Sequence, residues 1–136
     1  MTFQKTKIEL LFQELSYKIV GCAFKVHNEL GGGHLEKSYH NALTIALSDA
    51  GLQFISKQHL AVSYSGKFIN GYEPDLLVED SVIVEIKRRC RLNPKDFDQA
   101  RRYLKLTGKK LALLIHFGTD SVSIKRVVNL DSDKIL

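Results

Sequence analysis

The sequence is poor in the features that mark several protein classes. It has two prolines and nine glycines in 136 residues and no low-complexity tract, which excludes collagen-like and proline-rich chains and argues against disorder. Its longest aliphatic run, Leu111 to Ile115, is far shorter than the ~20 residues that a membrane-spanning helix needs. The start, Met-Thr-Phe-Gln-Lys, contains no apolar signal region. We therefore expect a protein that is neither exported nor associated with a membrane.

Cysteine is equally scarce. Cys22 and Cys90 lie far apart and form no Cys-x-x-Cys pair, which indicates two free thiols in a reducing compartment. We expect a cytoplasmic protein, or a nuclear one if the source is eukaryotic. The length and the 44% hydrophobic content predict a single domain over residues 1–136, large enough to fold without a disulfide or a structural metal.

The net charge of +5 is distributed unevenly along the chain. Residues 87–110 contain ten of the 20 lysines and arginines and only two acidic residues, so this segment carries +8 and the rest of the chain −3. A concentrated positive segment is typical of a protein that binds a phosphate-rich partner such as nucleic acid. The alternative is an ordinary solvated helix face.

Three segments have the apolar periodicity of helices, with apolar residues at intervals of three and four. They run from Ile8 to Leu30, from Leu35 to Ala50 and from Pro94 to Leu106. Each is followed by a glycine, which is typical of a helix end. Asn93-Pro94 is a typical helix start, because Asn caps the free N–H groups and Pro suits the first helical position.

The remaining apolar segments are short and predict strands. They are Leu60–Tyr64, Pro74–Val78 and Val82–Lys87 before the third helix, and Leu111–Phe117 and Val122–Val128 after it. We interpret Ser65-Gly66 and Asn70-Gly71 as turns. The resulting order ααβββαββ predicts an α+β fold of the α/β/α kind, with a mixed central sheet flanked by helices. The strands on either side of the third helix are expected to be parallel.

Two carboxylates are predicted to meet on this sheet. If Glu79-Asp80-Ser81 forms a three-residue loop, Val78 faces Val82 and, counting outward, Asp75 faces Glu85. Opposed carboxylates repel, and a divalent cation such as Mg²⁺ or Mn²⁺ can hold both. Lys87 would lie beside this cation, because residues two apart on a strand share a face. A two-residue loop would instead place the carboxylates on different faces of the sheet. The alternative without a metal is an ordinary salt bridge at an exposed strand end.

These residues match a known pattern. Pro74-Asp75, followed by Glu85-Ile86-Lys87, resembles the Pro-Asp…(Asp/Glu)-x-Lys motif of the PD-(D/E)xK nuclease superfamily. The segment from Gly33 to Tyr39 reads Gly-x-x-Glu-x-x-Tyr, and the chain from about Ser16 to Val128 resembles the bacterial GxxExxY proteins, a family assigned to that superfamily. This resemblance implies a restriction-endonuclease-like core.

The resemblance also implies a role for each site residue. Asp75 and Glu85 would bind the metal with help from the backbone carbonyl of Ile86, and Lys87 would position or activate the attacking water. Glu36 would complete the metal site or support it from outside, although a carboxylate at a helix N-terminus can also be explained by the helix dipole. Gln99 would contact the site from the next helix. Tyr39 and Tyr103 fit packing positions equally well.

The sequence therefore predicts a metal-dependent nuclease that acts on DNA, held by basic residues near the site. These are Arg88, Arg89, Arg91, Arg101, Arg102 and Lys105. The first alternative is a non-catalytic nucleic-acid-binding module that keeps the nuclease fold. The second is a partner-assembly module in which the basic face is incidental. We also expect a homodimer, because one small domain often needs a second copy to grip a duplex.

Overall fold

The computed structural model describes residues 12–88 and 91–129. It contains three helices and seven strands within these ranges. The helices are α1 (Gln13–Leu30), α2 (Glu36–Asp49) and α3 (Pro94–Thr107). The strands are β1 (Phe54–Ser56), β2 (Leu60–Tyr64), β3 (Lys67–Tyr72), β4 (Leu76–Val78), β5 (Val82–Lys87), β6 (Leu111–Phe117) and β7 (Val122–Val128).

Five strands form the central sheet in the order β1-β4-β5-β6-β7, and β2 and β3 form a separate hairpin. β5 and β6 are parallel, as the helix between them predicts, and the other pairs are antiparallel. The mixed sheet with flanking helices confirms the predicted fold class. It is a restriction-endonuclease-like architecture.

The sheet is buried on both faces, since α1 and α2 cover one and α3 covers the other. Val82, Val84 and Ile86 of β5 belong to the larger apolar cluster, with residues of α1 and α2. Ile83 belongs to the smaller cluster, with Ala100, Tyr103 and Leu104 of α3. Because side chains alternate along a strand, Glu85 and Lys87 lie on the α3 side of β5.

The strand count differs from the predicted order, since five strands rather than three precede α3. β1 has only three residues, too few to show a period. The predicted turn at Asn70-Gly71 is wrong, because both residues lie inside β3. Gly71 serves a different purpose there: the His59 ring lies where a side chain on Gly71 would be. Pro74 and Asp75, predicted as strand residues, precede β4, which begins at Leu76.

The boundaries of α2 and α3 agree closely with the prediction, but α1 begins at Gln13 because Phe12 adopts a left-handed conformation, with φ 53°. Asn93 and Asp96 form a reciprocal capping box at the start of α3, in which each side chain accepts from the other's backbone N–H. Gly108 ends this helix in the left-handed conformation, with φ 73°. The proposed extension of the first helix to Ile8 lies outside the described residues. None of the described helices is long and apolar enough to span a membrane.

Tyr39, the last residue of the Gly-x-x-Glu-x-x-Tyr segment, joins α2 to the rest of the domain. Its fully buried ring stacks on Phe117 with centroids 4.4 Å apart and planes within 5°. Its hydroxyl donates to the Gly31 carbonyl at 2.7 Å and accepts from the His34 backbone N–H at 3.2 Å. The tyrosine therefore fixes the loop between α1 and α2, and thus the start of α2.

Removing this hydroxyl should destabilise the domain. In Tyr39→Phe the ring stacking remains, but the His34 N–H and the Gly31 carbonyl lose a partner, so we expect the free energy of unfolding to fall by about 1–2 kcal/mol. Urea unfolding measures the change. Tyr17→Phe is the matched control, because Tyr17 is 80% exposed. Equal stability of Tyr39→Phe and the parent chain would contradict this role.

Candidate active site

The loop between β4 and β5 has three residues, Glu79-Asp80-Ser81, and Val78 pairs with Val82. The predicted register is therefore correct, and continuing it outward places Asp75 opposite Glu85. Glu79 and Asp80 adopt left-handed conformations, with φ 51° and 53°. Glu79 is tied to Gln53 twice, because its N–H donates to the Gln53 carbonyl at 2.8 Å and its carboxylate accepts from the Gln53 N–H at 2.6 Å.

The side chains of Asp75 and Glu85 each accept a hydrogen bond from the backbone of the segment that carries the other. The Glu85 carboxylate accepts from the Asp75 backbone N–H at 2.8 Å, and the Asp75 carboxylate accepts from the Ile86 backbone N–H at 2.7 Å. Both carboxylates therefore lie at the carboxyl end of β5. Asp75 itself precedes β4, which lets its side chain reach the strand end rather than project from the middle of the sheet.

Glu85 is the most strongly perturbed acid in the site. It is 3% exposed, and burial together with the nearby charge of Asp75 raises its pKa from 4.5 to about 8. The Asp75 N–H, Lys87 and Lys57 act in the opposite direction but do not offset burial. Without a further positive charge, Glu85 is therefore largely protonated at neutral pH.

Lys57 supplies a positive charge that the sequence analysis did not identify. Its ammonium lies 3.0 Å from the Asp75 carboxylate, and its backbone N–H donates to the Asp75 carbonyl at 3.0 Å. The hydrogen bond to Asp75 is the main cause that raises the pKa of Lys57. Lys57 belongs to no motif and lies 18 positions before its partner, so no local pattern marks it.

Glu36 is the first residue of α2 and lies on the other side of the site. It lines a cavity of about 440 Å³ together with His40, Lys57, Asp75 and Ile86. His40, one helical turn after Glu36, accepts from or donates to the Ser56 hydroxyl at 2.8 Å. Burial lowers the pKa of His40, which favours the neutral imidazole. The structure thus brings Glu36 to the same cavity as Asp75.

Lys87 and Gln99 are in direct contact. The Lys87 ammonium donates to the Gln99 amide oxygen at 2.9 Å and lies 3.7 Å from the carboxylate of Asp96, a buried residue. The Gln99 amide nitrogen donates to the Tyr103 hydroxyl at 3.2 Å. Burial, followed by the charges of Glu85 and Asp75, raises the pKa of Tyr103 to about 12. The sequence analysis did not identify Asp96 as a residue of the site.

The basic residues named for nucleic-acid binding are exposed where the structure describes them. Arg88 and Arg91 come after the end of β5, and Arg101, Arg102 and Lys105 lie on α3. Arg101 pairs with Asp98 at 3.2 Å, and the Arg102 guanidinium lies 5.3 Å from the centre of the Tyr72 ring. Arg89 lies outside the described residues, as does Cys90. Cys22 is a buried free thiol, and burial raises its pKa.

The candidate metal donors do not form a closed cage. Among the described residues, no group of three or more His, Cys, Asp and Glu side chains converges closely enough to hold a metal ion. The site therefore consists of the Asp75–Glu85 pair at the strand end, with Glu36 across the cavity and Lys87 on the α3 side.

The chain matches the family model of the PD-(D/E)XK nuclease superfamily over residues 13–127, and it belongs to that superfamily. Nucleases of this superfamily generally use divalent metal ions. The narrower resemblance to the GxxExxY proteins stays a prediction. No curated protein matches the chain in sequence.

Solved structures that share the fold include the following two. The structure of SSO0001 superposes with a TM-score of 0.52 at 15% identity and covers 66% of this chain, which spans 48% of the length of SSO0001. An alkaline exonuclease (LHK-Exo) from Laribacter hongkongensis has a TM-score of 0.50 at 13% identity, covering 83% of this chain and 79% of its own. Identities this low show the fold alone.

The raised pKa of Glu85 predicts a pH-dependent stability in EDTA. The folded chain holds a proton with a pKa of about 8, whereas the unfolded carboxyl releases it near the ordinary value of 4.5. Stability contributed by the protonated group is therefore complete below about pH 4.5 and lost as pH rises toward 8, by up to about 1 kcal/mol per pH unit.

Glu85→Gln removes this titration. The difference in unfolding free energy between variant and parent should grow in favour of the variant from pH 5 to 8, as chemical unfolding at several pH values would measure. Glu14→Gln, at an exposed position of α1, is the control and should follow the parent. Parallel curves for Glu85→Gln and the parent would contradict the raised pKa.

Proposed function

We propose that the chain is a metal-dependent nuclease that hydrolyses phosphodiester bonds in DNA. In this proposal Asp75 and Glu85 bind Mg²⁺, or Mn²⁺ in its place, and Lys87 assists the attacking water. Membership of the nuclease superfamily supports the reaction class. The single observation that carries the residue assignment is the pairing of β4 with β5, which brings the two carboxylates to one strand end in the register that the motif requires.

The donors fit a hard divalent cation. Mg²⁺ is commonly held by one or two carboxylates while it keeps several waters, and it does not need a cage made only of protein groups. A buried carboxyl whose pKa is raised to about 8 beside a second carboxylate is a place where a cation would replace a proton. Asp75 and Glu85 would hold the ion, with the Ile86 carbonyl, and Glu36 would support it across the cavity.

A bound divalent cation would supply Lewis-acid stabilisation of the scissile phosphate and of the departing oxygen. The chain's own residues would position the other participants. Lys87, held by Gln99 and Asp96, presents its ammonium on the same side of β5 as Glu85, where it can orient the water by hydrogen bonding. Its positive charge would also offset the charge that develops on the phosphate. Gln99, through Lys87, acts as a positioning residue.

The basic residues support DNA as the substrate. Arg88 follows β5 directly, Arg91 comes four residues after the end of that strand, and Arg101, Arg102 and Lys105 are exposed on α3, so the positive residues begin where the candidate site ends. Such cations bind phosphates by releasing condensed counterions. Arg89 is proposed with them on sequence grounds.

The second candidate is a nucleic-acid-binding or partner-assembly module without turnover. The observation that favours it is that the chain's own groups satisfy the site, because the Lys57 ammonium pairs with Asp75 and burial raises the pKa of Glu85 to about 8. The presence of all three motif residues favours the enzyme. A homodimer remains part of the proposal, as a way for one small domain to hold a duplex.

Cleavage of labelled DNA tests the enzyme directly. With single-stranded, duplex, flap and branched substrates, we expect cleavage in Mg²⁺ or Mn²⁺ and none in EDTA. Glu85→Ala and Lys87→Ala should each lower the rate about 100-fold or more, because each removes charge stabilisation from the transition state. Glu14→Ala and Lys18→Ala, at an exposed ion pair on α1, are the matched controls. Metal-dependent cleavage that survives both site variants would point to a contaminant and contradict the assignment.

The salt dependence of DNA binding tests the basic surface separately. In EDTA, affinity for a duplex should fall steeply with salt, and Arg88→Ala and Lys105→Ala should each reduce the slope of log affinity against log salt by about 0.9. Lys18→Ala should leave the slope unchanged. A slope near zero for the parent chain would instead support assembly with an uncharged partner.

A further inference from the structure

The hairpin formed by β2 and β3 lies in the chain between two residues of the candidate site, Lys57 and Asp75. The backbone N–H of Lys57 donates to the Asp75 carbonyl, and the Lys57 ammonium pairs with the Asp75 carboxylate. Leu60 and Tyr72, at the base of the hairpin, pack against the α3 side of the sheet. The base of the hairpin is therefore fixed against the sheet, and the chain on either side of it is held by the Lys57–Asp75 contacts.

A line of contacts connects the hairpin base with Lys87. The rings of Tyr72 and Tyr103 meet edge to face, with centroids 6.2 Å apart. The Tyr103 hydroxyl accepts from Gln99, whose amide oxygen accepts from the Lys87 ammonium at 2.9 Å. The Arg102 guanidinium covers the Tyr72 ring. The hairpin and the cationic surface of α3 are thus neighbours.

The outer part of the hairpin exposes an aromatic ring on each face. Tyr64 is 74% exposed and Phe68 is 62% exposed. β3 carries one extra residue where the register shifts between Val62 and Ser63, whereas Leu60, Val62 and Tyr64 alternate along β2 without interruption. Tyr64 therefore lies on the face whose base packs toward α3. Its cross-strand partner is Lys67. Phe68 pairs with Ser63 on the opposite face, where its ring lies near His59.

We infer that the hairpin face carrying Tyr64 and Lys67 binds single-stranded DNA, with a base stacked on the Tyr64 ring. This inference rests on the proposed nucleic-acid substrate and names its form. An exposed aromatic ring next to cations is the arrangement that single-stranded DNA uses, because unpaired bases stack while phosphates meet the positive charges. In a duplex the bases are already stacked on each other, so the ring offers them little. Lys67, the cross-strand partner of Tyr64, supplies positive charge at the outer end of the hairpin, and Arg102 supplies it at the base, against Tyr72.

Binding in EDTA, where no cleavage is expected, tests the inference apart from the activity. The probes are a fluorescent single-stranded oligonucleotide of about 12 nucleotides and the blunt duplex of the same sequence. Tyr64→Ala should weaken single-strand binding by about 5- to 100-fold and leave duplex binding unchanged, because one stacked base is lost. Tyr64→Phe, which keeps the ring, should bind like the parent.

Phe68→Ala is the matched control on the other face of the same hairpin, and it should bind single strands like the parent chain. The salt slope should stay the same in Tyr64→Ala, since no phosphate contact is removed. Parent-like single-strand binding by Tyr64→Ala would overturn the inference. So would an equal loss in Phe68→Ala, a parent chain that binds no single-stranded DNA, or a loss that accompanies dissociation of a dimer in light scattering.

The two proposals fail separately. If Tyr64→Ala loses single-strand binding but no metal produces cleavage, the proposed nuclease activity is wrong and the single-strand binding site on the hairpin stands. If cleavage is observed and Tyr64→Ala binds single strands like the parent, the proposed binding site on the hairpin is wrong and the proposed nuclease activity stands.

Discussion

The register between β4 and β5 is the constraint on which the candidate site depends. A strand slip of one residue would move Glu85 to the other face and separate it from Asp75. The three-residue loop prevents the slip, since Glu79 and Asp80 adopt left-handed conformations there and Glu79 is bonded twice to Gln53. Val78 and Val82, which flank the loop, are fully buried. A small loop and two apolar residues therefore determine where two carboxylates meet.

The same geometry makes the site electrostatically costly for the folded chain. Glu85 is buried beside another acid, and burial disfavours its charged form. Lys57 neutralises Asp75, while Lys87 is directed by Gln99 and Asp96 along the α3 side. A buried carboxyl beside a second acid needs either a bound proton or a nearby cation to be stable, and such groups are typical of functional sites. Glu85 therefore affects both the stability of the fold and the proposed function. The fold supplies the rest of the arrangement through Tyr39, which fixes the start of the helix that carries Glu36.

Much of this arrangement could be predicted from the sequence, because the signals are local. Apolar periodicity predicted the helices, and counting outward from Val78 and Val82 predicted the carboxylate pair. The two extra strands could not be predicted: β1 is too short to show a period, and Asn70-Gly71 has the composition of a turn although His59 requires the glycine. Lys57 meets Asp75 from 18 positions away, and Asp96 meets Lys87 only because the loop after β5 turns α3 back onto the sheet, which no spacing encodes.

The claim that Asp75 and Glu85 form a metal site is tested most directly by titrating Mn²⁺ into the protein. Binding is measured as the decrease of the electron paramagnetic resonance signal of free Mn²⁺. We expect one site that is lost in both Asp75→Asn and Glu85→Gln, since each removes a carboxylate donor while keeping its size. Glu14→Gln should bind Mn²⁺ like the parent. Binding that persists unchanged in both site variants, or a parent chain that binds no Mn²⁺, would contradict the account that this carboxylate pair is a metal site.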